Sequence, residues 1–138
     1  MATRFEDKIA IVLSDDLLGW QRLNVTAFLV SGLTGARADL LGEPYADADG
    51  TPYLRMLGQP VVVLEADAAT LAAAHGRAGA RGVPTSIFTR ELFTTGDDES
   101  NRAAVRAVPR DRLDVVGLGV VAPRNAADTI VKGARMLP

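Results

Sequence analysis

Residues 8–33 read KIAIVLSDDLLGWQRLNVTAFLVSGL, and the change of pattern inside this stretch decides the fold. From Lys8 to Ser14 the chain is a near-continuous run of Ile, Ala, Val and Leu, the composition of a strand covered on both faces. From about Trp20 to Leu33 the apolar positions recur at helical spacing instead. Trp20, Leu23, Ala27 and Val30 fall in register, and Val25, Phe28 and Leu29 are apolar too, which predicts a largely buried helix. Asp15 and Asp16 stop the strand and are placed to cap the helix after it, and Gly19 permits the turn. Gly32 and Gly35 mark the end of the helix.

The same alternation continues outward. Pro60 to Glu65 reads as a second buried strand, and Asp67 then caps an alanine-rich helix ending near Gly79 or Gly82. Thr85 to Thr89 is a third strand, and Asp97 or Asp98 caps a helix running through about Val108. A fourth strand starts at Leu113 in LDVVGLGVVAP, and Pro123 opens a last helix over Asn125 to Met136. Only residues 36–59 break the rhythm. There Asp49-Gly50, between Tyr45 and Tyr53, predicts a short hairpin. Asp47 and Asp49 do not make a calcium loop, because the twelfth position is Gly58 rather than a glutamate. Alternating strands and helices imply one domain over residues 1–138, a sheet with helices on its faces.

Composition narrows the function classes. At 48% hydrophobic and 23% charged over 138 residues, the chain is globular rather than disordered. It has no cysteine, which excludes disulfides, a thiol nucleophile and a cysteine zinc site. MATRFEDK carries no apolar core of signal-peptide length and no run approaches a membrane span, so a cytoplasmic protein without membrane association is expected. A net charge of −2 and a pI near 5.3 weigh against a nucleic-acid partner. The basic residues are almost all Arg, which suits bidentate contacts to small anions.

His75 is the one histidine and stands in AAAHG without a carboxylate within a helical turn, so neither a catalytic triad nor a histidine metal site is legible. No cofactor motif is legible either. Gly117 and Gly119 fall inside a strand, where close packing against a helix explains them better than a dinucleotide loop does. Two polar clusters remain. Asp16, Arg22, Asn24 and Thr26 follow the carboxyl end of the first strand, the rim on which open α/β sheets place ligands. Glu91, Thr95, Asp98 and Asn101 follow the third. If those strands run parallel, both clusters share one rim.

The stretches KIAIVLSDDLLGWQRLNVTAFLVSGL, GEPYADADG, GQPVVVLEAD, TRELFTTGDDESNR and VVGLGVVAPRNAADTIVKG together resemble the family called domain of unknown function 2000, over nearly the whole chain. The fold of that family is similar to peptidyl-tRNA hydrolase of the second, archaeal and eukaryotic type. The resemblance implies a three-layer α/β/α fold with a mixed sheet of about four core strands, and a homodimer. Where that hydrolase carries Gly-Lys-Gly-Lys, this chain reads GWQR, so Arg22 stands in place of a functional lysine. Its aspartate after the third strand has Glu91 as its nearest counterpart, one residue out of step, and residues 94–112 look inserted.

Two function classes emerge. The first is a small-ligand-binding or regulatory protein whose rim pocket holds a polar or anionic ligand on Arg22, with Asp16, Asn24, Thr26, Thr95 and Asn101 around it. The second is an ester or amide hydrolase, with Glu91 or Asp98 as the water-activating base and Arg22 stabilising the oxyanion. The binding class is preferred, because no complete catalytic constellation is legible.

Overall fold

The computed structural model describes residues 5–138; the first four residues, part of the stretch read as lacking a leader, lie outside it. The elements are β1 (Asp7–Ser14), α1 (Gly19–Ala36), the hairpin β2 (Tyr45–Ala46) and β3 (Pro52–Tyr53), β4 (Val61–Ala66), α2 (Ala68–Ala80), β5 (Thr85–Thr89), α3 (Asp98–Arg106), β6 (Val115–Pro123), α4 (Arg124–Ile130) and β7 (Arg135–Met136). One mixed sheet has the order β5-β6-β1-β4-β7. β1 is parallel to β4 and antiparallel to β6, which is in turn antiparallel to β5. β1, β4 and β5 therefore point the same way and share a carboxyl rim.

The central strand β1 is buried on both sides, as its continuous apolar run requires. Ile9, Ile11 and Leu13 pack with Val25, Leu29 and Leu33 of α1. Ala10 and Val12 face the opposite way, into a cluster with Leu71, Ala74 and Ala78 of α2 and Ile130 of α4. The strand glycines let α1 settle on β6. A Cβ on Gly117 would overlap Val25, and one on Gly119 would stand 2.5 Å from Ser86 Oγ. The hairpin forms with Tyr45 opposite Tyr53.

Three expectations need correction. Asp16 does not cap α1: the N-cap position is Leu18, and its N–H donates to the Gln21 side chain at 2.8 Å. Nor is α1 largely buried. Val25, Leu29 and Leu33 form the inward stripe, while Trp20 and Leu23 are 59% and 76% exposed. Apolar residues fall on every side of α1, so a pattern count does not single out the inner face. Finally, the last helix stops at Ile130, and residues 135–136 return as β7 along β4. Gly133 makes that reversal at φ +95, a backbone region open to glycine at no steric cost.

Candidate functional site

The carboxyl rim holds a chain of alternating charges. Glu65 ends β4 on its α1 side and is 8% exposed. It meets Arg22 at 3.2 Å and Arg135 at 3.1 Å, and Arg135 also reaches Asp15 at 3.2 Å. Arg22 is anchored further by the carbonyls of Leu17 and Asp15, both at 3.1 Å. Across the rim, Arg90 binds Asp114 at 2.9 Å and Asp16 at 3.1 Å. The Ser14 hydroxyl, donating at 2.7 Å, and then the Arg90 guanidinium hold the Asp16 carboxyl below the ordinary carboxylate range. The Asp114 carboxylate in turn holds Arg90 more firmly protonated. Each rim arginine is thus matched by a carboxylate. The rim mainly ties α1 and β7 to the sheet.

The residues singled out from sequence divide into three groups. Arg22 and Asp16 both lie on the rim, Arg22 reaching the Asp15 carbonyl beside Asp16, but their charged partners differ: Glu65 of β4 for Arg22 and Arg90 after β5 for Asp16. Glu91 sits exposed on the 3₁₀ turn Arg90–Phe93 after β5, on that same rim. Asn24 is exposed on the outer side of α1, and Thr26 donates back to the Arg22 carbonyl at 2.7 Å within the helix. Thr95, Asp98 and Asn101 come together at the start of α3. There the Thr95 hydroxyl meets the Asn101 amide, Asp98 pairs with Arg102, and Asp97 caps the helix through the Ser100 N–H at 2.8 Å.

A groove of about 960 Å3 opens beside this last group, between α1, β5 and α3. That volume lies in the range of small-molecule sites. Phe28, Leu33, Phe88, Leu92 and Val105 supply apolar lining, with Asp98, Asn101, Arg102 and Arg106 along α3. Phe28 and Phe88, both in that lining, meet edge to face at 5.7 Å. The groove escaped the sequence reading because its apolar residues come from three separated segments and look like core. Glu65 left one signal, a lone acid in an apolar run. Arg135 left none, since residues 125–136 read as helix.

Among the described residues no group of three or more His, Cys, Asp or Glu is placed to hold a metal, and no helix is long and apolar enough to cross a membrane. No curated protein matches the chain. A solved structure of a protein of unknown function from Agrobacterium tumefaciens strain C58 is 41% identical, covers 98% of this chain and 100% of its own, and superposes with a TM-score of 0.95. The family described as "Protein of unknown function (DUF2000)" matches residues 7–138. With the match running through every strand and helix from β1 to β7, the chain belongs to the DUF2000 family.

Proposed function

We propose that the protein is a small-ligand-binding protein, and that its ligand sits in the groove between α1, β5 and α3. The groove itself carries this reading: about 960 Å3 of largely apolar space bordered by Asp98, Asn101 and two arginines of α3. The ligand it suits is an apolar body bearing an anionic group. The probe 8-anilinonaphthalene-1-sulfonate has that character. Binding to the native protein should raise dye fluorescence. At a hundredfold excess over Kd it should stabilise the fold by about 2.7 kcal/mol. Val105→Glu, which sets a charge in the groove, should abolish both effects. An unchanged titration in that variant would sink the proposal.

The hydrolase reading has one observation in its favour: Glu91 and Arg22 belong to the same rim, since β1 and β5 run parallel. Against it, Arg22 is already engaged by Glu65 and two carbonyls. Incubation with an N-acylated aminoacyl-tRNA should release no ester product. Release that Arg22→Ala loses would reverse the preference. A peptidyl-tRNA hydrolase II-like three-layer fold and a homodimer belong to the same set of proposals. The outer side of α1, where Trp20 and Leu23 are exposed and no charge stands, supports the dimer.

A further inference from the structure

β5 is the last strand of the sheet, so one side of its backbone has no strand beside it. Five consecutive residues, Pro84 to Phe88, border the groove. Successive strand residues point to opposite faces. A cavity touching all five therefore runs along the strand's edge rather than over one face. Across from it, α3 contributes Asp98, Asn101, Arg102, Val105 and Arg106. Those positions have the spacing i, i+3, i+4, i+7, i+8, which is one side of a helix. No residue of α3 is buried. Among the described residues, no backbone or side-chain group bonds the outward N–H and C=O groups of residues 85–88. The result is a slot with an unpaired strand edge as one wall and a standing-off helix as the other, about 17 Å long at ~3.4 Å per residue.

Unpaired edges are templates for another strand, and proteins ordinarily blunt them with charge or bulges. The run TSIFT carries no charge and is rich in residues that favour strands; its blunting features, Pro84 and a register shift between Phe88 and Thr89, stand at its two ends and leave residues 85–88 regular. The charges lie on the facing walls instead. Arg37 is matched by Asp7 and Asp39, and Arg102 by Asp98, while Arg106 pairs with no carboxylate among the described residues. The slot is therefore net positive.

We propose, resting on the groove as the binding site, that its occupant is an extended acidic peptide segment of about five residues, which adds to β5 as an extra strand and sets a carboxylate against Arg106. Backbone hydrogen bonds to β5 supply affinity, and alternate apolar side chains fill the space lined by Phe28, Phe88 and Val105. A second copy of this chain is the weaker occupant, because it would press two positive slots together.

The test is selection of phage-displayed random octapeptides on the immobilised full chain, then fluorescence polarisation with the enriched peptides. Enrichment should favour alternating acidic and apolar residues. N-methylation of one alternate set of peptide amides should abolish binding, and methylation of the other set should not. Arg106→Glu should weaken binding at least tenfold with an unchanged circular dichroism spectrum. Equal binding by both methylated sets would overturn the added strand. No enrichment over Val105→Glu, while 8-anilinonaphthalene-1-sulfonate still binds the parent protein, would overturn the peptide and leave the groove as a small-molecule site. Loss of both would remove the groove reading as well. A light-scattering dimer with amide-exchange protection on residues 85–88 would assign the edge to a second copy and likewise overturn the proposal.

Discussion

Replacing Gly117 by alanine tests whether the glycines of β6 serve the contact with α1. A methyl group there would overlap Val25 Cγ1, stand 3.0 Å from Leu29 Cδ1 and 3.5 Å from Phe88 Cβ. Gly117 is fully buried between these groups and has an ordinary extended backbone, so the strain is one of packing alone. Overpacking of a well-filled core costs about 1–3 kcal/mol. The lost flexibility of the unfolded chain returns about 0.4–1 kcal/mol. The balance is a loss of about 1.5 kcal/mol, which lowers Tm by roughly 6 °C in a domain of this size. Urea unfolding monitored by the single Trp20 and by circular dichroism should show a lower midpoint at unchanged slope. Val25→Ala removes the atom that the new methyl would strike. In the double variant the two losses should not add, and a coupling of about 1 kcal/mol should appear. A neutral or stabilising Gly117→Ala, or strict additivity with Val25→Ala, would refute the close-packing account.

His75 is the one histidine; burial, and then the Arg110 charge, push its pKa below the ordinary value. A group depressed in the fold contributes stability above its unfolded pKa, near 6.5, and that stability drains away as pH falls through the folded value. Tm should therefore drop between pH 7.5 and 5.5 in the parent and much less in His75→Asn, and identical drops would contradict the assignment. Glu65→Gln strips two arginines of their shared partner. Breaking a fully buried pair costs about 3–5 kcal/mol, and the partial exposure of Arg22 and Arg135 reduces this to about 1–2 kcal/mol. Amide exchange at residues 135–136 should accelerate with it, and unaltered exchange would show that β7 does not depend on Glu65. Leu23→Glu, on the outer side of α1, tests the proposed dimer: the light-scattering mass should fall from two chains to one, and Tm should fall with it as the partner's stabilisation is lost; an identical mass in both would remove that face as the interface.

Much of the fold was legible one segment at a time. β1, β4 and β5 announce themselves as short apolar runs between turn residues, Asp67 as a cap with Asp97 or Asp98 as a second, of which the structure takes Asp97, and Asp49-Gly50 as a hairpin, because each depends on neighbours within a few positions. Gly117 and Gly119 were also legible as packing residues, since a strand interior gives glycine few other uses. Tertiary structure alone decided which side of α1 turns inward. With polar and apolar residues mixed around α1, no single polar face orients it, and the sheet chose Val25, Leu29 and Leu33 over Trp20 and Leu23. It also decided the partners of charge. Arg22 answers to Glu65, forty-three positions away, and Asp16 to Arg90, because strand order brings those rims together and sequence spacing says nothing of strand order. The groove belongs to the same class. Its walls come from a helix flank, a strand edge and a second helix, and an unpaired edge exists only once the sheet has an order and therefore an end.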